Sequence, residues 1–140
     1  MTEILPRLFL GSAQDAASLD FISNNSITHV LNVAREVPKC AHVKNYAHIP
    51  ADDSWYQDLI QYFPWANKYI SESLENGGNI LVHCAAGISR SATIVIAYIM
   101  TDYNMSMSDA YNYVKSRRAI VSPNLHFVGQ LVQHEKEKIA

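Results

Sequence analysis

Residues 80–100, ILVHCAAGISRSATIVIAYIM, demand a strand, a tight turn and a buried helix in immediate succession. The apolar strand ends in His83-Cys84, and five residues centred on Gly87 make the turn. Arg90-Ser91 then opens a helix that is apolar nearly all round, so it must lie in the middle of the domain. This order puts a cysteine sulfur at the floor of an anion cradle. The backbone N–H groups of residues 85 to 90 can point inward, and the positive end of the following helix faces the same spot. A thiol held there ionises more readily than the reference value of about 8.5, because donors that hold an oxyanion also stabilise a thiolate. Arg90 adds a planar fork able to grip two oxygens of one anion. Taken alone, a cysteine after an apolar strand packs in the core more often than it reacts. Gly87, Arg90 and Ser91 at these spacings favour the cradle.

The rest of the chain reads as alternating strands and helices. Residues 8–11 predict a short strand closed by Gly11, and residues 15–23 a helix with Ala16, Leu19 and Ile22 on one face. A turn at 24–26 leads into a β-branched strand at 27–33, then a loop at 34–43 and a strand at 45–49 ended by Pro50. Leu59, Phe63, Ala66, Ile70 and Leu74 predict a helix, with Pro64 breaking or kinking it. Asn76-Gly77-Gly78 stops that helix, and residues 79–82 form the strand that delivers Cys84. Ser106 and Asp109 have capping-box spacing before Ala110, Tyr111 and Val114. The turn 122–124 starts a last helix with Leu125, Val128, Leu131 and Val132 inward. This pattern argues for one α/β domain over residues 1–140.

Composition narrows the function. A net charge of −2 gives no support to a nucleic-acid or polyanion binder, and Lys115, Arg117 and Arg118 read as a solvated helix end. Two cysteines, Cys40 and Cys84, imply no disulfide framework and fit a reducing compartment. The start MTEILPRLFLG lacks the pattern of a signal peptide, and the apolar stretch after Ser91 is too short to span a bilayer. Cytoplasm or nucleus is therefore the expected location. His29, His42, His48, His126 and His134 lack metal-ligand spacing, so neither a metal nor another cofactor is expected.

CAAGISR is a Cys-x5-Arg loop, and HCAAGISRSA resembles the dual-specificity class of cysteine-dependent protein phosphatases. The likeness runs from ILPRLFLGSAQDA through THVLNVA to SPNLHFVGQL, and is nearest to the catalytic domains of MAP kinase phosphatases. The resemblance implies a central, mainly parallel (mixed) twisted sheet of about five strands with helices on both faces. It also implies a phosphoprotein substrate, with a MAP kinase activation loop first among candidates, and no cofactor. A monomer is assumed.

Carried over onto this chain, the resemblance makes Cys84 the nucleophile and Arg90, with the backbone of Ala85, Ala86, Gly87, Ile88 and Ser89, the phosphate binder. Asp53, in PADDS, takes the place of the general acid; Asp52 is the alternative, and both are also plain loop and N-cap candidates. Ser91 matches the hydroxyl that donates to the sulfur, a role compatible with capping the helix N-terminus. His83 reads as a hydrogen-bonder that shapes the loop. Asn124 either braces backbone near the loop or caps the last helix. Cys40 is a loop thiol, or one that could trap an oxidised Cys84. Trp55 and Tyr56 are expected to pack the Asp53 loop rather than line the cleft.

Order and length separate the relatives. Low-molecular-weight phosphatases place the cysteine loop ahead of the aspartate, the reverse of this chain. Classical tyrosine phosphatases need a longer domain to deepen the pocket, so a shallow cleft for phosphotyrosine and phosphothreonine/serine is expected. The uncharged loop residues 85–89 count against a polyphosphorylated lipid. Sulfur transfer or arsenate reduction lacks the wider match. A phosphoprotein-binding module without turnover is the alternative class, and the presence of both Cys84 and Arg90 weighs against it.

Overall fold

The computed structural model describes residues 1–39 and 42–139. Its strands are β1 (Thr2–Leu5), β2 (Leu8–Gly11), β3 (His29–Asn32), β4 (Asn45–His48) and β5 (Ile80–His83). They form one sheet in the order β1-β2-β5-β3-β4. β2, β5, β3 and β4 are parallel, and β1 adds antiparallel at the edge. This is the mixed, mainly parallel sheet that the sequence implied.

Alternation along the strands divides the core between two faces. Leu8, Leu10, Leu31, Ile80 and Val82 point into the larger cluster. That face is covered by α3 (Phe63–Glu75), α4 (Arg90–Asp102), α5 (Met107–Arg117) and α6 (Leu125–Ile139). Phe9, Val30 and Leu81 point the other way, toward Ala16 and Ile22 of α1 (Ala13–Ala17) and α2 (Leu19–Asn24). Burial on both faces is why LFL, VL and ILV read as unbroken apolar runs. Helix α4 is buried from Arg90 to Met100, as its all-round apolar pattern requires.

Four local expectations change. The single helix at 15–23 is two helices divided at Ser18, whose hydroxyl accepts from Phe21 N at 3.3 Å and starts α2. A capping box between Ser12 and Asp15 starts α1 earlier than expected. Pro64 does not break α3; it sits in the first turn, where its missing N–H forfeits no helical bond, and Leu59 lies ahead of a 3-10 turn at Ile60–Tyr62. Leu125 does not face inward from α6 but is 87% exposed. β1 was not anticipated, because a four-residue edge strand before Pro6 carries little pattern of its own. Among the described residues, no helix is long and apolar enough to cross a membrane.

Candidate active site

Strand β5 lies between β2 and β3, so Cys84 leaves the sheet centre at the carboxyl ends of the parallel strands, where α/β sheets bind ligands. The loop that follows has its carbonyl groups tied outward. Ala85 O accepts from Ala13 N at 2.9 Å, Ile88 O from Ser122 N at 2.8 Å, and Ser89 O from Thr93 N at 2.9 Å. Gly87 O accepts from Arg118 Nε at 3.0 Å, and Ala86 O from Arg118 Nη2 at 3.4 Å. Outward carbonyls leave N–H groups facing the inside, and those of Gly87 and Ser91 help to lower the Cys84 pKa. Gly87 has φ +70°, and a Cβ there would come within 2.5 Å of the Gly11 carbonyl oxygen. Only glycine fits that turn.

Cys84 is a free thiol, 2% exposed, with its Sγ 3.1 Å from Ser91 Oγ. Burial by itself pushes the thiol pKa up. The Ser91 hydroxyl, the Ser91 and Gly87 N–H groups and the Arg90 charge outweigh it, and the net shift is downward. The N-cap residue Ser89 makes no capping bond with its own side chain, and the Ser91 hydroxyl meets sulfur and not the helix backbone. Instead the Ser89 hydroxyl accepts from Asn124 N at 3.0 Å. The first-turn donors of α4 are thereby left for an anion.

Arg90 is 5% exposed and held from behind. Its Nη1 and Nη2 donate to the two carboxylate oxygens of Glu36 at 2.7 and 2.8 Å, and Nη1 also donates to Ala51 O at 3.0 Å. Burial opposes the charge, but the Glu36 hydrogen bonds are the larger influence and raise the Arg90 pKa; the same contact holds Glu36 at about 2. A guanidinium has five donors, three of which these contacts use. Among the described residues the buried Nε has no hydrogen-bond partner. The Nε–Nη2 edge is therefore the fork that meets two oxygens of an oxyanion.

Asp53 and Asp52 part company here. Asp52 pairs with Arg35 at 3.2 Å. Exposed Asp53 accepts from Asn124 Nδ2 at 2.9 Å and lies near enough to Arg90 to help raise its pKa. Asn124 makes contacts toward both the acid segment and α6. Its amide donates to Asp53 and to Ser54 O, at 3.2 Å, while its Oδ1 accepts from Phe127 N at 2.9 Å in the first turn of α6. Trp55 and Tyr56 do not pack the loop; they are 78% and 68% exposed and meet edge to face at 5.7 Å.

His83 is fully buried, with Nδ1 3.0 Å from Cys84 O, and burial lowers its pKa. A neutral imidazole that donates from Nδ1 fixes that carbonyl, which suits the loop-shaping role. Cys40 lies outside the described residues. Glu36 and Arg118 were missed by sequence reasoning. Glu36 follows β3, the neighbour of β5, so its position at the mouth could be read only once strand order was known. Arg118 was read with Lys115 and Arg117 as a solvated helix end. The structure corrects this, since Arg118 grips two loop carbonyls and Thr2 Oγ1, and Lys115 donates to Ala119 O and Val121 O.

Residues 8–137 match the family model described as dual specificity phosphatase, catalytic domain. The chain is 44% identical over 137 residues to Homo sapiens dual specificity protein phosphatase 6, and 46% identical over 136 residues to Homo sapiens dual specificity protein phosphatase 5. Each alignment takes in 96% of this chain but 36% and 35% of those proteins, so the chain spans about a third of their length. Among solved structures it resembles human DUSP28, with TM-score 0.93, 30% identity, and coverage of 99% of this chain and 95% of that one. It also resembles human tyrosine phosphatase-like serine/threonine/tyrosine-interacting protein, with TM-score 0.93, 38% identity, and coverage of 100% and 98%.

Proposed function

Because this chain belongs to the dual specificity phosphatase catalytic domain family, we propose that it hydrolyses phosphoprotein monoesters through a phosphocysteine intermediate. The observation that carries the reading is the buried Cys84 thiol, 3.1 Å from the Ser91 hydroxyl, on a loop whose Arg90 keeps a buried Nε free of any hydrogen-bond partner among the described residues.

In the first step the Cys84 thiolate attacks phosphorus, a P–S bond forms and the ester P–O bond breaks. The loop N–H groups and the Nε–Nη2 edge of Arg90 hold the equatorial oxygens as charge shifts onto them. Asp53, entering as the carboxylic acid, gives its proton to the leaving oxygen. In the second step Asp53 carboxylate takes a proton from water, the water oxygen attacks phosphorus and the P–S bond breaks. The Ser91 hydroxyl, 3.1 Å from sulfur, steadies the departing thiolate. Acid and thiolate must coexist, so turnover peaks on the acidic side of neutral.

The preferred substrate in this reading is the doubly phosphorylated activation loop of a MAP kinase, on the strength of the sequence resemblance. A shallow cleft admits phosphotyrosine and phosphothreonine alike, and a reducing cytoplasm or nucleus suits the thiolate. One structural neighbour is named phosphatase-like and interacting, which keeps a binding module as the second reading. Cys84 with its activating contacts argues for turnover.

Hydrolysis of para-nitrophenyl phosphate and of a doubly phosphorylated kinase loop, wild type against Cys84→Ser, tests both readings. Wild-type turnover abolished in Cys84→Ser supports the enzyme. Inert wild type that still binds phosphopeptide supports the module. Equal slow rates across a panel of phosphorylated kinases would argue against a dedicated MAP kinase role.

A further inference from the structure

The three most exposed large apolar side chains among the described residues are Leu125 at 87%, Trp55 at 78% and Tyr56 at 68%. Isolated exposed apolar residues need no explanation, but a group of large ones does. All three stand on two segments that meet at the candidate acid. Asn124, the chain neighbour of Leu125, donates to Asp53 Oδ1 and to Ser54 O, the chain neighbour of Trp55. Consecutive Cα atoms are about 3.8 Å apart, so both segments are anchored within a residue or two of the acid. Trp55 and Tyr56 brace one another edge to face, which lowers the entropy cost of presenting them.

We infer that Trp55, Tyr56 and Leu125 form an apolar rim that receives an apolar side chain lying within two residues of the phosphorylated one in a protein substrate. The inference rests on the phosphoprotein reading above and deepens it. Asn124 and Ser54, the chain neighbours of Leu125 and Trp55, are bonded to each other beside Asp53, and residues flanking the phosphorylated one in an extended peptide lie about 3.3 Å per residue from it. Residues 50–58, PADDSWYQD, hold three aspartates and no lysine or arginine; Asp52 is paired with Arg35 at 3.2 Å, Asp53 and Asp58 disfavour an acidic flanking residue, and an apolar one leaves water against the exposed Trp55, Tyr56 and Leu125.

Two phosphotyrosine peptides that differ only in Leu or Glu at the two flanking positions test this. Their ratio is read as kcat/KM on wild type, Trp55→Ala, Leu125→Ala and the double variant, and as Kd on Cys84→Ser with and without the rim substitutions. Taking the ratio within each variant cancels any loss of folded protein. The expected result is a preference for the Leu peptide of about fivefold or more that falls toward one in the double variant. A wild-type ratio near one overturns the rim, as does a ratio indifferent to Trp55→Ala and Leu125→Ala. So does a wild-type dimer that Trp55→Ala dissolves while the peptide ratio stays near one, since the patch would then belong to a second copy. If wild type hydrolyses neither peptide yet Cys84→Ser binds them with the preference intact, hydrolysis fails and the rim stands.

Discussion

Glu36 holds Arg90 by both carboxylate oxygens, at 2.7 and 2.8 Å, and so decides which edge of the guanidinium is free for a phosphate. The acid faces solvent while the arginine is buried, with side chains 57% and 7% exposed. Its worth to stability is accordingly modest, and its value is orientation. Replacing Glu36 by Gln keeps the shape but loses a charge and one acceptor. The expected outcome is a fall in kcat/KM of about tenfold or more, with the global fold retained, measured with para-nitrophenyl phosphate.

The same pair sets a pH signature. Glu36 falls from an ordinary value of 4.5 to about 2 in the folded protein. A carboxylate with a depressed pKa stabilises the fold above its unfolded value, and this contribution is lost as pH falls through the folded one. Wild type should therefore lose stability relative to Glu36→Gln between pH 4.5 and about 2. Urea midpoints of the two proteins at pH 5, 4 and 3 check it; parallel curves would show that the contact carries no linkage.

Ser91 should matter most after the first chemical step. Its hydroxyl and backbone N–H both lower the Cys84 pKa. Ser91→Ala removes only the hydroxyl, so iodoacetamide alkylation of Cys84 should shift its midpoint to higher pH. The departing thiolate is also less stabilised, so dephosphorylation should slow by about tenfold or more and a burst of para-nitrophenol should appear. A pH midpoint equal to that of wild type would remove Ser91 from the thiolate's support.

Residues close in sequence were legible; those brought together by strand order were not. Cys84, Arg90 and Ser91 lie on one strand–turn–helix unit, and local spacing is enough to place them. Asp53 could be assigned only through the resemblance, because a loop aspartate carries no local mark of its role. Glu36 and Arg118 come from 54 and 28 residues away from Arg90 in the chain, and nothing in REVP or SRRA distinguishes them from surface charge. Leu125, Trp55 and Tyr56 failed for a different reason. Helical spacing and apolar character predict burial on energetic grounds, and the structure sets these three in solvent beside the site.

Asp53→Asn should reveal its part through the leaving group. Tyrosine leaves as a poor group, with a pKa of about 10, and needs a proton more than nitrophenolate does. The loss of kcat should be larger on a phosphotyrosine peptide, about a hundredfold, than on para-nitrophenyl phosphate. Asn124→Ala removes the amide that donates to Asp53 at 2.9 Å and the Oδ1 that accepts from Phe127 N, and should reproduce the leaving-group bias in weaker form. Equal losses on both substrates would place Asp53 outside proton transfer, and the same comparison with Asp52→Asn would then test the runner-up.

Arg118 and Gly87 give the most mechanical test, because Arg118 shapes the loop from outside the cradle and Gly87 through the turn it alone can make. Arg118 draws the Ala86 and Gly87 carbonyls outward, and an alanine there leaves two loop oxygens without their donor. The loop can then turn a carbonyl inward, toward the thiolate and the substrate oxyanion, which both forms repel. Arg118→Ala should raise the Cys84 alkylation midpoint and lower kcat/KM, and Arg118→Lys should recover part of each. Gly87→Ala is more severe: positive φ and a 2.5 Å approach to backbone oxygen leave the methyl nowhere to go. Its turnover should fall below detection while the far-UV circular dichroism of the sheet and helices persists. Full activity in Gly87→Ala would mean that the cradle does not need its present turn.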